Sequence, residues 1–472
     1  MVMGELPVET EVLVIGGGPG GYTAALRAAD LGFDVTLVTD EPELGGVCLL
    51  RGCIPSKTLL SLSELISMSC AAAPMGLHFE EPKVEIDEMR AWKNHVVKQL
   101  ADGLGQLCDQ RGVNRVQARA TFREADTVHL DNGETHSMTF KHAIVATGSR
   151  PIPLPDTPFS DRIMDSSNAL ALADIPNRLL VVGGGYVGLE LGLVYAALGS
   201  QVTLVEMTDR LLPGADADLV QPLTRRLQDR FEGMHFNTKV TALKPDKHKV
   251  RATFAGDANL DEAAYERVLV AIGRQPNTED LGLDRAEVNL DAQGYIVVDA
   301  QRRTANARIF AIGDAAGGMM LAHEAMQEGR VAAESIAGLP AAFDARAIPA
   351  VVYTDPQVAW CGLTEQEAQT QKLDVKVARF PWKASGRAVS MGRTEGFTKL
   401  IMDAESQHIL GVGMVGAHAE ALIAEGVLAV EMGAVAQDVA LTVHPHPTLS
   451  ETIGEAAQAL LGSATHVFAP KK

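Results

Sequence analysis

Cys48 and Cys53 stand five residues apart, between the Gly45-Gly46 pair and the segment Pro55-Ser56-Lys57. In a helix this spacing can bring both sulfurs onto one face, close enough for a disulfide after local distortion. Two buried thiols or half of a metal site would use the same residues. A metal would need two further ligands nearby, and none follow. A second reactive group lies near the far end of the chain, in Val443-His444-Pro445-His446-Pro447-Thr448-Leu449-Ser450-Glu451. An imidazole titrates near neutral pH, and a carboxylate beside it can orient the ring and stabilise its cation. On chemistry alone, His444 and His446 are both candidate bases, with Glu451 as the orienting acid.

The segment before the cysteines narrows the choice. Glu11-Val12-Leu13-Val14-Ile15 is a buried-strand run, followed by Gly16, Gly18 and Gly21 in the G-x-G-x-x-G spacing. The first glycine allows a tight turn, the second lets a pyrophosphate approach the backbone, and the third lets the next helix pack on the strand. The pattern predicts a helix over 22–31 and a strand over 34–39. A dinucleotide site about thirty residues before a cysteine pair suggests a disulfide beside a flavin. The same unit recurs at Leu179 to Glu190, where Gly183, Gly185 and Gly188 repeat the spacing. The strand over 201–206 ends in Glu206, whose carboxylate can accept both ribose hydroxyls and would repel a 2′-phosphate, so NAD is preferred over NADP. One nucleotide is thus expected to be FAD and the other NAD.

Helices are predicted over 56–72 and 86–111, with strands near 115–122 and a hairpin at Asp131-Asn132-Gly133. Cys70 and Cys108 fall in the helical patterns and read as buried small hydrophobes, and Cys361 as structural. The run Arg150-Pro151-Ile152-Pro153-Leu154-Pro155 reads as a linker.

The 472 residues suggest about three domains, and 46% apolar with 21% charged residues fits a globular chain with a sizeable core. A formal net charge of −19 argues against non-specific nucleic-acid binding and against attraction to anionic membranes. Five cysteines do not make a secreted disulfide framework. The first residues show no basic region or apolar signal core, and no run of about eighteen apolar residues suggests a membrane span. A cytoplasmic location is expected, where a disulfide is usually catalytic.

These motifs, in this order, resemble the flavoprotein disulfide reductases, and among them most closely the dihydrolipoamide dehydrogenases, from about residue 10 to residue 460. The resemblance implies an α/β fold with two Rossmann-like dinucleotide-binding domains and an α+β C-terminal dimerisation domain. It divides the chain into an FAD domain (1–149), an NAD domain (150–274), a returning FAD and central part (275–347) and an interface domain (348–472). It implies that Lys57 and Glu190 form a charge pair beside the flavin. Gly46, Thr147, Gly148, Asp314 and Ala322 are carried over as flavin contacts, and Val240 and Gly273 as NAD contacts. It picks His446 over His444 and implies that this base serves the cysteine pair of the other subunit, so a homodimer is expected. The implied reaction passes electrons from dihydrolipoamide through Cys48 and Cys53 to FAD and then to NAD. The implied partners are the lipoyl groups of a 2-oxoacid dehydrogenase complex. An NAD-linked reductase of another disulfide is the alternative within the class, and a docking subunit of such a complex is the alternative outside it.

Four positions depart from the family pattern. Thr39 stands where a ribose-binding glutamate is usual, leaving Asp40 as the expected acid. Leu50 and Arg51 replace asparagine and valine, and Pro445 stands where alanine is frequent.

Overall fold

The computed structural model describes residues 8–80, 82–131, 137–257 and 262–468. Strand Val8–Ile15 carries Val12, Leu13 and Val14 with no exposed surface. A strand apolar on both faces belongs inside a parallel sheet. It pairs in parallel with Val35–Thr39 on one side and Ser137–Val145 on the other, so that Val14 faces both Leu37 and Ile144. Asn114–Gln117 extends the sheet beyond Val35–Thr39. Thr127–Leu130 and Ala120–Glu124 add an antiparallel flank. Asn132 and Gly133 of the expected hairpin lie outside the described residues, but the strands before and after them pair antiparallel. Late in the sequence, Ile309–Ala311 returns to this sheet and pairs in parallel with Ser137–Val145.

A second sheet repeats the plan. Its parallel strands run in the order Gly233–His235, Gln201–Val205, Arg178–Val182, Arg267–Val270 and Ile163–Met164. An antiparallel ribbon, Thr238–Pro245, Val250–Gly256 and Glu262–Tyr265, packs beside it. The third layer is a five-stranded antiparallel sheet, ordered Ala350–Val352, Gln357–Gly362, Ile409–Gly416, Phe397–Asp403 and Val375–Pro381. Helices Ala419–Glu431 and Glu451–Leu460 cover it. Parallel sheets with crossover helices plus one antiparallel layer make the chain α/β with an α+β C-terminal unit.

These layers share packing. The core of the second unit includes Leu59 and Met89 from helices of the first, and Val352, Val358 and Val415 from the last sheet. A buried cation adds to this. Lys399, on strand Phe397–Asp403, donates to Asp216 at 2.6 Å and to Asp218 and Glu365 at 2.8 Å each. Three carboxylates answering one ammonium satisfy all its donors away from water.

Two local expectations are corrected. The first helix spans Pro19–Asp30, not 22–31, because Pro19 suits the first helical turn, where its missing N–H costs nothing. Cys70 is exposed rather than buried, since it lies near the open end of helix Cys53–Ala71; Cys108 and Cys361 are buried.

Candidate active site

At both glycine turns the backbone explains the spacing. Gly16 has φ +113°, and a Cβ there would lie 2.2 Å from the Ala146 carbonyl oxygen; Gly183 has φ +109° and would meet the Ala271 oxygen at 2.3 Å. A Cβ on Gly21 or Gly188 would strike the carbonyl of Gly16 or Gly183, at 1.9 and 2.2 Å. Gly18 and Gly185 have open space where a side chain would stand. They also precede helices Pro19–Asp30 and Tyr186–Ala197, whose first N–H groups lack side-chain caps. A bare backbone at a helix N-terminus is the cradle a pyrophosphate needs. Both turns therefore fit a dinucleotide.

The cysteine segment is held against the first turn. Gly45 N–H donates to Gly17 O at 2.8 Å, and a Cβ on Gly46 would come within 2.6 Å of Gly18 Cα. The sulfurs do not share one regular helical face. Helix Gly46–Arg51 ends at Gly52 and helix Cys53–Ala71 begins at once, so the pair meets across a break. Only glycine fits there, because a Cβ on Gly52 would stand 2.7 Å from the Val47 carbonyl oxygen. Both cysteines are free thiols in hydrogen-bonding contact. That contact separates their acidities. The hydrogen bond from Cys48, helped by the Lys57 charge, pulls Cys53 down to about 7 against the effect of burial. The same hydrogen bond, with burial, pushes Cys48 above the ordinary thiol range. Cys53 is also the first residue of its helix, where the dipole favours an anion.

Lys57 Nζ donates to Glu190 Oε2 at 2.7 Å, and Glu190 is 3% exposed. The other oxygen of Glu190 accepts from the Tyr353 amide at 3.0 Å, and Lys57 Nζ lies 4.5 Å from the centre of the Tyr353 ring. A cleft of about 910 Å³ joins these groups. Its walls include Gly16, Gly18, Cys48, Cys53, Lys57, Thr147, Gly148, Glu190, Asp314 and Ala322.

Asp314 follows strand Ile309–Ala311 and accepts from the Ser149 hydroxyl; Arg274 Nε donates to the same hydroxyl at 2.7 Å. Thr147 Oγ1 donates to Asn277 O at 2.7 Å. The turn before Asp314 is braced from behind. Gly313 N–H donates to Glu328 Oε2 at 2.5 Å, and Arg302 pairs with Glu328 at 2.8 Å. Burial pushes the Glu328 carboxyl up to about 7.

On the second unit, Glu206 is held by Gly184 N–H at 2.6 Å and by Thr208, whose amide and hydroxyl donate at 2.7 and 2.8 Å. Gly273 has φ +133° at the adjoining turn. The Val240 side chain is buried in the core behind this sheet, which leaves only its backbone to face a ligand. Asp40 is exposed at the cleft edge, its carbonyl accepting from Gln117 Nε2 at 3.4 Å.

His446 Nδ1 lies 2.8 Å from Glu451 Oε1, and Thr448 N–H donates to Glu451 Oε2 at 2.8 Å. Although burial opposes them, the Thr448 amide and the His446 ring hold the Glu451 carboxyl below its ordinary value. His446 stands 77% exposed and is not among the cleft-lining residues. His444 is turned inward, 9% exposed, and bonded to Glu425 at 2.7 Å.

Residues 10–329 match the pyridine nucleotide-disulphide oxidoreductase family, and residues 348–457 match its dimerisation domain. The chain belongs to the pyridine nucleotide-disulphide oxidoreductases. It is an FAD-dependent, NAD-linked disulfide oxidoreductase. It is 45% identical over 461 residues to the dihydrolipoyl dehydrogenase of Vibrio cholerae, covering 97% of each chain. It is 46% identical to that of Haemophilus influenzae, covering 97% of this chain and 96% of the relative. Among solved structures, LpdA from Mycobacterium tuberculosis aligns with a TM-score of 0.88 at 28% identity, over 96% of this chain and 99% of that one. The HOCl-induced flavoprotein disulfide reductase RclA of Escherichia coli, in its Cu(II) complex, aligns with a TM-score of 0.83 at 25% identity, over 94% and 99%.

Sequence reasoning missed Ser149, Arg274 and Tyr353. Ser149 adjoins the Thr147-Gly148 signal and was within reach. The Tyr353 contact runs through a backbone amide, which no residue type announces.

Proposed function

We propose that this chain oxidises dihydrolipoamide to lipoamide, with electrons passing through Cys48 and Cys53 to FAD and then to NAD. The observation that carries the reading is the thiol pair of unequal acidity beside the Lys57–Glu190 pair, in one cleft with the first glycine turn. Near full-length identity of 45–46% to proteins named dihydrolipoyl dehydrogenase supports the substrate.

In the oxidised enzyme Cys48 and Cys53 share a disulfide. His446 of the partner subunit removes a proton from one thiol of dihydrolipoamide, and Glu451 orients the ring and stabilises its cation. The substrate thiolate attacks the Cys48 sulfur, forming a mixed disulfide and releasing Cys53 as a thiolate. Lys57 and the Cys48 thiol would hold that anion afterwards. The second substrate sulfur attacks the first and breaks its bond to Cys48, and the second thiol's proton passes to the departing Cys48 sulfur. Lipoamide leaves, and the dithiol remains. FAD, when bound, would supply the two-electron chemistry that links this dithiol to NAD. Glu206 selects NAD by accepting from the ribose hydroxyls. Thr147, Gly148, Asp314 and Ala322 would line the flavin, and Gly273 and the Val240 backbone the NAD.

A homodimer follows from this reading, because His446 does not line the cleft of its own chain. Lipoyl groups of a 2-oxoacid dehydrogenase complex would be the physiological partners, in the cytoplasm. Among the described residues no helix is long and apolar enough to cross a membrane.

The test is NADH formation from dihydrolipoamide by the purified flavoprotein, with His446→Gln as the control. Turnover with NAD, reduced about a hundredfold or more in H446Q, is expected. No turnover by a protein that retains FAD would reassign the substrate to another disulfide.

A further inference from the structure

The two glycine turns are near copies, yet they differ at one place. In the second, a Cβ on Gly184 would meet Glu206, at 3.1 Å from Oε2 and 3.3 Å from Cγ. In the first, a Cβ on Gly17 would meet Thr39, at 3.4 Å from both Cβ and Cγ2. Thr39 therefore fills the place of Glu206 and brings no carboxylate to it. Its hydroxyl instead accepts from the Glu41 amide at 3.3 Å. Glu41 and Asp40 both line the cleft. Asp40 is exposed to solvent. Glu41 Oε1 accepts from Arg51 Nη2, while Oε2 is shielded from water and has no hydrogen-bond partner among the described residues. An ionised oxygen left without a donor is costly, and because Glu41 lines the cleft, a small turn of its carboxylate would offer that oxygen to a ligand's donors.

We infer that Glu41 is the carboxylate that accepts the adenosine ribose hydroxyls of FAD, and that Arg51 is its positioning residue. The inference rests on the assignment of FAD to the first nucleotide unit. A carboxylate accepts but does not donate, and two vicinal hydroxyls offer two donors, so the chemistry matches the orphaned oxygen. Two of the chain's departures then explain one another. The carboxylate lost at Thr39 is replaced two residues later, and Arg51 supplies the guanidinium that holds the replacement in place. Arg51 is also the last residue of helix Gly46–Arg51, which carries Cys48. The ribose end of the flavin site and the redox-active helix are thereby joined through one ion pair.

The test is flavin release from the holoenzyme on dilution, read by the fluorescence of free flavin. It compares FAD with its 2′-deoxyadenosine analogue in the wild type, E41Q, D40N and R51L. The wild type is expected to hold FAD about tenfold to a hundredfold more tightly than the analogue. E41Q weakens FAD by a similar factor and holds both ligands equally. R51L narrows the difference, and D40N keeps it. A site merely damaged by substitution would lose both ligands in proportion, so the ratio separates a specific role from misfolding. A second variant, T39E combined with E41Q, should restore the preference for FAD. If E41Q retains the full preference, or if D40N abolishes it, the inference is overturned. These readouts involve no substrate, so they stand or fall separately from dihydrolipoamide turnover.

Discussion

Lys57 Nζ and Glu190 Oε2 lie 2.7 Å apart, on helices that belong to different nucleotide units. The Tyr353 amide of the C-terminal unit closes on the same carboxylate at 3.0 Å. Three segments remote in sequence thus meet at one buried group, and Lys57 at the same time favours the Cys53 thiolate.

Replacing Lys57 with Met leaves Glu190 buried and unpaired. Loss of one partner of a buried pair costs about 3–5 kcal/mol. Urea unfolding of the K57M holoenzyme should show a loss of this order. Glu190→Gln in the same background should recover most of it, since the uncompensated charge is gone. A loss in K57M that persists unchanged in the double variant would mean that Lys57 stabilises by packing on Tyr353 instead.

The acidity of Cys53 follows from its hydrogen bond with Cys48 and from Lys57, and both favour the thiolate. In the reduced enzyme, alkylation of Cys53 by iodoacetamide should have its midpoint near pH 7. Cys48→Ala removes the hydrogen bond and should move the midpoint upward, toward that of an ordinary thiol. Cys48→Ser should abolish dihydrolipoamide oxidation while leaving bound FAD and any assembly with a lipoyl partner intact.

Glu206 sets the expected nucleotide preference. Against NADP it places a carboxylate beside a phosphate, a repulsion worth several kcal/mol. The wild type should favour NAD by about a hundredfold in kcat/KM. Glu206→Ser should raise NADP use and depress NAD use, so that the ratio collapses from both sides. Steady-state kinetics with the two nucleotides decide this.

Glu328 gives a pH signature. Its carboxyl has an ordinary value of 4.5 and is pushed up to about 7 in the fold by burial. The folded state therefore holds a proton that the unfolded chain releases. The resulting stability is complete below about pH 4.5 and is lost as the pH rises through about 7. The loss is on the order of 3 kcal/mol. Glu328→Gln should flatten the urea-stability profile across that window; a profile as steep as the wild type's would assign the dependence elsewhere.

Much of the site was legible because its geometry demands particular residues. A φ above +100° at Gly16 and Gly183 needs glycine, and so the two turns announced themselves. The pairing of His446 with Glu451 followed from a motif of fixed spacing, and that of Lys57 with Glu190 from the family resemblance. What stayed hidden depends on contacts between distant segments. The Thr147-Gly148 signal reaches Ser149 but does not name Asp314 as its partner, and nothing near Tyr353 marks its amide on Glu190. Gly52 looked like an ordinary glycine of the cysteine motif, yet it separates helix Gly46–Arg51 from helix Cys53–Ala71. Arg51 read as a departure from the family's valine. Its partner is Glu41, a residue the motif does not contain.

The three carboxylates around Lys399 have a mechanical consequence. Asp216 and Asp218 begin a helix of the NAD-binding unit, whereas Lys399 and Glu365 belong to the C-terminal unit. A hinge between these two bodies would have to pull the Lys399 ammonium away from Asp216 and Asp218, leaving it Glu365 alone. Opening by swinging one body from the other is therefore a poor route to the nicotinamide. Access is then expected to come from side chains moving at the cleft, with the framework behind them staying still. A catalyst built in this way can be stiff in its bulk and yet quick at its mouth.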